Sequence, residues 1–394
     1  MDGWKSAWPA IGRGSQIVAL VAVCGVLGAA CGSGPGTAKI GIEGPMTGPQ
    51  AATGIDMWRA AQLEEAKLND AGGVLGKSIQ LVQIDDRADA STAVAVARRA
   101  LAKGISAVVG PYNSAVGVKD LPVYTGAGLP VVRLTSNHTT SGMGITLQPM
   151  DYQVAPFMAS AIEKTSGSQR VAIVYDTSTY TSGVADQVKT LLTAAKVPVV
   201  AFEPITTGQT QFGTAVAALK GANPTIVYFV AYDPEAEELV QQASTAGVPG
   251  TCLVDGLAAE GPVFLKTVPL ALAQKCVFSG VPTAEQFPDA RTYVSSYKSK
   301  FNESPGTWGT FTYDSLGALA SAVKTAGSWS GRKVDPVLFH LSGYRGLTGT
   351  TTINPGTGDR NDPPLLMETV DSSGHYVVSQ EWSQSGGLPV LPPL

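Results

Sequence analysis

The stretch KIGIEGPMTG, residues 39–48, is an apolar run that ends abruptly in glycine and proline, as a buried strand does. It is followed by GIDMWRAAQLEEAKLND (54–70), in which apolar residues recur at helical spacing, and then by a second apolar run, SIQLVQIDD (78–86). A strand, a crossing helix and a second strand make a βαβ unit with parallel strands. This unit predicts an α/β fold.

The same alternation continues through two series of runs. The first series goes on with a helix at 91–104, a strand at 106–111, a helix near 115–126 and a strand at 129–136. The second series, after Asp151, has helices at 152–167, 182–196, 211–221 and 234–246 and strands at 170–176, 197–205, 225–232, 251–256 and 275–282. Strands that are apolar on both faces are typical of parallel sheets covered by helices. The sequence therefore predicts two doubly wound α/β lobes.

A long helix at 310–326 and a strand-rich end at 349–381 follow the second series. The chain must therefore return to help build one or both lobes. Its 394 residues suit two cores better than one. Charged residues make up only 15% and apolar residues 44%, which excludes a disordered chain. The net charge of −4 is scattered, without a basic stripe, so nucleic acid is not an expected partner.

The first thirty residues form a separate segment. Lys5 and Arg13 make a weakly basic start, and IVALVAVCGVLGAA (17–30) is uncharged and apolar. A helix of about 14 residues rises about 21 Å, less than the roughly 30 Å hydrocarbon layer of a bilayer. The pattern favours a signal peptide at 1–30 over a permanent membrane span.

Cys31 follows small residues, as lipoprotein signal peptidase requires, although Leu27 stands four places before the cysteine instead of the usual three. Cleavage there leaves a cysteine with a diacylglyceryl group, and two or three acyl chains hold a protein on a membrane stably. We therefore expect an exported protein, lipid-anchored to the outer face of the cell membrane, with a tether at 31–37. The alternative is a plain secretory signal in which Cys31 is incidental. At the other end, residues 383–394 lack periodicity and predict a flexible tail.

Two cysteines, Cys252 and Cys276, remain after removal of the signal and lipidation of Cys31. Export to an oxidising compartment favours a disulfide between them. Each lies at or near the start of an apolar run, and neighbouring parallel strands would bring the two within disulfide reach. The alternative is a pair of buried free thiols.

Catalytic signatures are missing from the sequence. It contains no Gly-x-Ser-x-Gly nucleophile elbow and no Gly-x-Gly-x-x-Gly loop. The three histidines, His138, His340 and His375, are far apart, and no Cys/His cluster has the spacing of a metal site. We therefore expect a binding protein that needs no cofactor or metal and is not an enzyme. Its ligand should sit beyond the carboxyl ends of the strands, where polar or tight turns occur at 44–48, 110–114, 135–137 and 232–235.

Several motifs, in order and spacing, resemble the branched-chain amino-acid ABC-transporter binding proteins. They are KIGIEGPMTG (39–48), NDAGGVLGK (69–77), LVQIDD (81–86), Val109-Gly110, AIVYD (172–176) with Tyr180, and VAYDPE (230–235). The similarity runs from about residue 38 to 380. It implies the type 1 periplasmic binding protein fold, in which two α/β lobes are joined by a three-strand hinge. Lobe 1 would comprise 38–150 plus 284–362, and lobe 2 would comprise 151–283 plus 363–382.

The resemblance also implies a ligand site between the lobes. In the family, lobe 1 holds an α-carboxylate and lobe 2 meets the ammonium with an aromatic hydroxyl and an acid, while a further aromatic closes over the ligand. The matching positions are Ser114, Thr135 and Asn137 on lobe 1 and Tyr232, Asp255 and Tyr180 on lobe 2. The acid matches Asp255 with a one-residue slip and Gly256 without it. Structural alternatives are a helix cap for Ser114, an exposed turn for Asp255 and surface packing for Tyr180.

Three positions depart from the family pattern. Thr53 replaces an aromatic that covers the ligand side chain, Asn137 replaces a threonine, and Gln148 replaces an arginine. These changes leave the fold prediction intact but argue against leucine-type specificity. Asp85 and Asp86 match the family, and a strand-end acid pair that caps the next helix is their expected role.

The expected function is that of the extracytoplasmic receptor of an ABC importer. An amino-acid-like ligand would bind to lobe 1, and lobe 2 would then close over it. We expect a monomer that delivers its ligand to ABC permease subunits. The alternative is a ligand-sensing receptor for an amide, urea or small organic acid that signals through a partner protein.

The lipid anchor predicts the behaviour of one variant. Cys31→Ser should release the protein from membranes or leave it as uncleaved precursor, as fractionation and intact-mass measurement would show. Cys24→Ser, which changes a cysteine inside the apolar run, is the matched control and should fractionate as wild type. Mature Cys31→Ser protein that stayed with the membranes would contradict the anchor.

Overall fold

A computed structural model describes residues 36–259, 261–389 and 391–394. The predicted signal peptide, Cys31 and most of the predicted tether lie outside the described residues. Within the described part of the chain, no helix combines the length and the apolar character needed to cross a membrane.

The first sheet contains four parallel strands in the order β2-β1-β3-β4. The strands are β1 (Thr37–Gly44), β2 (Ser78–Asp85), β3 (Ala107–Val109) and β4 (Val131–Val132), and the helices between them are α1 (Ala51–Asp70), α2 (Ala93–Ala102) and α3 (Ser114–Gly126). β2 is an edge strand and exposes Gln80 and Gln83, so it is not apolar on both faces as expected. The predicted strand at 129–136 is shorter because the chain turns away after Val132.

The second sheet receives the next five strands. They are β5 (Val171–Asp176), β6 (Val199–Ile205), β7 (Ile226–Val230), β8 (Thr251–Asp255) and β9 (Cys276–Gly280). The helices are α4 (Asp151–Glu163), α5 (Thr179–Ala194), α6 (Gly213–Ala222), α7 (Glu235–Thr245), α8 (Gly261–Thr267) and α9 (Leu270–Ala273). All neighbouring pairs among the five strands are parallel. The structure is thus a mixed α/β fold of two lobes, as the alternation predicts.

After β9 the chain returns to the first lobe. It forms α10 (Arg291–Phe301), α11 (Thr307–Ala326), α12 (Gly331–Phe339), β10 (Tyr344–Gly346) and β11 (Gly349–Thr351), with α11 packed along α1. It then crosses back and adds β12 (Leu366–Val370) and β13 (Tyr376–Val378) antiparallel to the second sheet, whose order is β13-β12-β9-β8-β7-β5-β6. Within the described residues the chain therefore passes between the sheets three times.

The chain ends against the second lobe. The last helix, α13 (Gln380–Ser385), is followed by Leu388, which is buried and donates its N–H to the Ala161 carbonyl (3.1 Å). The aperiodic pattern of 383–394 does not predict these contacts, since they depend on where α4 lies.

The predicted disulfide is present. Cys252 on β8 and Cys276 on β9 are register partners in adjacent parallel strands, both are buried, and their sulfurs are bonded. The covalent bond joins β8 to β9 and so fixes the strand from which the loop after β8 begins.

Lobe 1 contains three buried carboxyl groups close together. Glu43 is the next-to-last residue of β1, Asp86 follows β2 and Asp120 lies on α3. Both carboxyl oxygens of Glu43 and of Asp120, Oδ2 of Asp86 and the Tyr124 hydroxyl are buried, and none has a hydrogen-bond partner outside this cluster among the described residues. Burial, and then the neighbouring Asp120 and Asp86, raise the pKa of Glu43 well above its ordinary value. Burial likewise raises the pKa of Asp86 to about 7 and that of Asp120 to about 8.

The acid pair after β2 has a different role from the one expected. Asp85 accepts hydrogen bonds from the Thr47 N–H and hydroxyl and from the Arg87 N–H, and Asp86 accepts one from the Ala88 N–H. These bonds fix the loops after β1 and β2. They do not cap α2, whose N-cap is Thr92.

The buried acids predict that stability falls as pH rises. The folded protein keeps protons on Asp86 and Asp120 that the unfolded chain releases near pH 4, so their contribution is complete below that pH and lost as pH rises through the folded values of about 7 and 8. The free energy of unfolding in urea should drop by on the order of 1–4 kcal/mol between pH 6 and pH 9.

Asp120→Asn should flatten this dependence, because the amide cannot ionise. The exposed Asp70→Asn is the control and should keep the wild-type slope. Equal stability of the wild type at pH 6 and pH 9 would show that these groups do not retain protons.

Candidate functional site

The carboxyl-end loops of the two sheets meet. Tyr112, after β3, places its hydroxyl 3.4 Å from the Leu257 carbonyl after β8. The Asn137 side chain, after β4, donates from Nδ2 to the Thr179 carbonyl at the start of α5 (3.0 Å). The structure is therefore a closed arrangement in which loops from both lobes touch across one cleft.

Ser114 lies on the lobe 1 side of this cleft, at the first residue of α3, and is buried. Its Oγ accepts the N–H groups of Ser136 (3.3 Å) and Asn137 (3.1 Å). It makes no bond of its own that caps α3, because the N-cap is Asn113. The Ser114 hydroxyl thus joins the loops after β3 and β4, and these bonds leave its hydrogen available to an acceptor.

The other two predicted lobe 1 residues are engaged by protein groups. The Thr135 hydroxyl bonds to that of Thr140 (2.8 Å). Asn137 donates from Nδ2 to Asp151 Oδ2 (2.8 Å) as well as to Thr179, and its Oδ1 accepts from Thr139. In this arrangement Asn137 is a contact between the lobes.

Among the described residues, the buried polar atoms near these loops that have no hydrogen-bond partner include Asn113 Oδ1, Ser136 Oγ and Trp308 Nε1. An unpaired buried polar atom costs about 1–3 kcal/mol, so such atoms are uncommon unless something else satisfies them. Asn113 precedes Ser114, Ser136 is one of the two amide partners of Ser114, and Trp308 is the second residue of α11. Together they offer a hydroxyl, an acceptor oxygen and an indole N–H to a ligand.

Aromatic rings from both lobes form a connected chain. The ring centroids of Trp308 and Tyr112, on lobe 1, are 4.9 Å apart. Tyr112 meets Tyr232 of lobe 2 edge-on at 5.7 Å, and Tyr232 lies 6.3 Å from Tyr180. The backbone N–H of Tyr232 is fixed by Asp176 Oδ2 (2.9 Å). The structure thus brings the predicted Tyr180 and Tyr232 together, and adds Tyr112 and Trp308.

Tyr112 and Trp308 were missed by sequence reasoning, which places Tyr112 only in the loop at 110–114 and assigns Trp308 to no element, because the predicted helix begins at residue 310. Both are buried, as core aromatics are. Only their position where two lobes meet marks them as candidate site residues.

Asp255 is the last residue of β8 and is fully buried, so it is not an exposed turn residue. Its Oδ2 accepts the Tyr228 hydroxyl (2.7 Å), and its Oδ1 accepts the N–H groups of Leu257 (3.0 Å) and Ala258 (3.1 Å) and the Tyr180 hydroxyl (3.4 Å). Burial raises the pKa of Asp255, and the hydrogen bond from Tyr228 partly offsets this. The carboxylate closes the turn after β8 and orients two tyrosines.

Comparison with known proteins identifies the family. A family model described as "Periplasmic binding protein" matches residues 37–374. The chain is 29% identical to the Leu/Ile/Val-binding protein of Escherichia coli strain K12 over 290 residues, which cover 72% of this chain and 78% of that protein. The chain therefore belongs to the type 1 periplasmic binding protein family that includes the branched-chain amino-acid binders, as the resemblance predicts.

Solved structures share the fold. The leucine-binding protein of Thermotoga maritima superposes with a TM-score of 0.77 at 22% identity and covers 88% of this chain and 99% of its own. A solute-binding protein of an ABC transporter from Rhodopseudomonas palustris, in complex with 3,4-dihydroxybenzoic acid, also gives 0.77, at 18% identity over 87% and 96% of the two chains. The family consists of extracytoplasmic substrate-binding proteins of transporters, not of enzymes.

The contact between Asn137 and α5 predicts how closure can be weakened. A Cβ on Gly183 would lie 2.5 Å from Asn137 Nδ2, so Gly183→Ala should separate Asn137 from Thr179 and shift the protein towards an open form. The substitution should not destabilise α5 itself, because alanine favours a helix over glycine by about 0.5–1 kcal/mol. Small-angle X-ray scattering should show a larger radius of gyration at an unchanged or higher melting temperature.

Gly221→Ala, at a helical glycine with open space around it, is the control and should leave the radius of gyration unchanged. If Gly183→Ala is as compact as the control, the contact between Asn137 and Thr179 does not hold the lobes closed.

Proposed function

We propose that this member of the periplasmic binding protein family is the solute-binding lipoprotein of an ABC importer, and that it binds a small amino-acid-like molecule in the cleft between its lobes. The observation that carries the proposal is the Ser114 hydroxyl, which is buried at the start of α3 and holds two backbone amides of the facing loop. A hydroxyl at a helix N-terminus favours an anionic group. The family membership and the amino-acid-binding relative support the same role.

The Ser114 hydroxyl, which lies against the loop that carries Thr135 and Asn137, would donate its hydrogen to the carboxylate of this ligand. Tyr180 and Tyr232 would close over it from lobe 2. In the amino-acid form of the proposal, Tyr232 and Asp255 would also meet an ammonium group. Asp255 already accepts four hydrogen bonds from protein groups. The ammonium half of the proposal therefore has less support than the carboxylate half.

Delivery follows from the two-lobe design. We propose lobe boundaries at 38–150 plus 284–362 and at 151–283 plus 363–382, with Cys31 as lipid anchor and 31–37 as its tether. Closure buries the ligand and presents one surface built from both lobes, which ABC permease subunits would recognise. We propose that the protein works as a monomer and needs no cofactor.

Uptake measurements test this function. The ligand that stays bound through purification is identified by native mass spectrometry, and its uptake is compared in cells with and without the protein. Ser114→Ala should weaken binding about 10- to 150-fold, the value of a hydrogen bond to a charged group, and should fail to restore uptake. Ser295→Ala, at an exposed position of α10, is the control and should behave as wild type. Uptake that does not depend on the protein would refute the importer role.

A further inference from the structure

We infer that the ligand is a small carboxylic acid with a flat aromatic ring and without an α-ammonium group. This inference rests on the importer role and the carboxylate site at Ser114 of the proposed function, and it replaces the ammonium half of that proposal. Three observations on the cleft lead to it: the chain of rings, the bonding of the carboxylates next to that chain, and the unpaired polar atoms on lobe 1.

The ring chain supplies faces and edges from both lobes. Trp308 and Tyr112 belong to lobe 1, Tyr232 and Tyr180 belong to lobe 2, and the contact between Tyr112 and Tyr232 joins the two sets. Opening the lobes would part that contact and expose both rings. A flat ring is the group that regains offset and edge-to-face contacts with both sides when the lobes close.

Three carboxylates, those of Asp176, Asp151 and Asp255, hydrogen-bond to predicted ligand residues, and each already accepts several other hydrogen bonds. Asp176 accepts the N–H groups of Tyr232 and Ser178 and the Thr181 hydroxyl. Asp151 accepts the Asn137 amide, the Tyr152 N–H, and the backbone N–H and ring Nδ1 of His138.

Asp255 accepts four bonds, from two tyrosine hydroxyls and two backbone N–H groups. A ligand ammonium would have to displace one of these donors, and burying an ammonium without a carboxylate partner is strongly unfavourable. Glu260 lies outside the described residues and is therefore included as a variant in the test.

The unpaired atoms on lobe 1 suit an acid. The hydroxyls of Ser114 and Ser136 and the indole N–H of Trp308 can all donate to a carboxylate or to another ligand oxygen. Asn113 Oδ1 can only accept, and a ring hydroxyl would satisfy it. Neither Ser114 nor Ser136 nor Trp308 carries the negative charge that an ammonium requires.

Paired ligands test the inference by calorimetry on the detergent-solubilised lipoprotein after its bound ligand has been dialysed away. The probes are phenylalanine and 3-phenylpropanoate, leucine and 4-methylpentanoate, and benzoate with and without a 4-hydroxyl group. We expect at least one aromatic acid to bind tenfold or more tightly than phenylalanine and than 4-methylpentanoate. Tighter binding of the amino acid in either pair, or no binding of any aromatic acid, would overturn the inference.

Variants then assign the preference to residues. Trp308→Leu should weaken binding of the aromatic acid at least tenfold and bring its affinity close to that of 4-methylpentanoate. Trp382→Leu is the matched control, because Trp382 packs on Phe157 outside the ring chain, and it should keep the wild-type preference. A Trp308→Leu protein that still prefers the aromatic acid tenfold would refute the role of the rings.

Substitutions of two acidic residues of the protein test the inference in a second way. Asp255→Asn should lower the melting temperature without changing the preference for acid over amino acid, and Glu260→Gln should leave both unchanged. A preference for the acid that appears only in one of these variants would show that the wild-type carboxylate binds an ammonium, and would overturn the inference.

Failure of the inference and failure of the proposed function look different. If uptake depends on the protein but the ligand found by mass spectrometry is an amino acid, the importer role stands and the aromatic acid is wrong. If uptake does not depend on the protein, the importer role falls whatever the calorimetry shows.

Discussion

The constraint on which the structure depends is that parallel strands covered by helices on both faces leave only their ends for polar chemistry. Both lobes obey it, since the candidate site residues follow β3, β4, β7 and β8 or begin α3, α5 and α11. A ligand site of useful size then requires two such edges to face each other. The three passages of the chain between the sheets produce that arrangement. Trp308 comes from the segment that returns to lobe 1 after β9, and not from the first series of strands and helices.

A buried ion pair holds together segments at which the chain passes between the two lobes. Arg133 and Asp359 form an ion pair in which both side chains are fully buried, and Arg133 also donates to the Thr135 carbonyl. Asp359 accepts the hydroxyl of Tyr152, which begins lobe 2 (3.0 Å). Removing one member of such a pair would leave a buried charge unpaired, which costs about 3–5 kcal/mol. Because these bonds hold the segments near 133, 152 and 359 together, we expect lobe motion to be a rotation about this region.

Much of the fold could be predicted from the sequence, because periodicity and strand order are local signals. The alternation of runs gave the two α/β lobes, and the two cysteines at neighbouring strand starts gave the disulfide. Ser114 was predicted from the resemblance to the family, and its position after β3 and at the start of α3 agrees with that prediction. The uses of Asn137 and Glu43 could not be found in this way. Asn137 bonds across the cleft to Thr179, and Glu43 meets Asp86 and Asp120 from two other elements, so both depend on tertiary approach that no local pattern records.

Asp255 shows how one residue position can change the chemistry of a site on a constant scaffold. Successive side chains of a strand point to opposite faces, so a shift of one residue reverses the direction of an acid. At the last position of β8, Asp255 points to the face that carries Tyr228 and Tyr180, and they bond to it. Gly256 offers no side chain, and a Cβ there would lie 2.3 Å from the Ser279 carbonyl oxygen, so no acid can occupy that position without moving β9. The close approach of β8 and β9, which the disulfide reinforces, therefore excludes a countercharge at 256 and leaves the carboxylate at 255 to order the tyrosines.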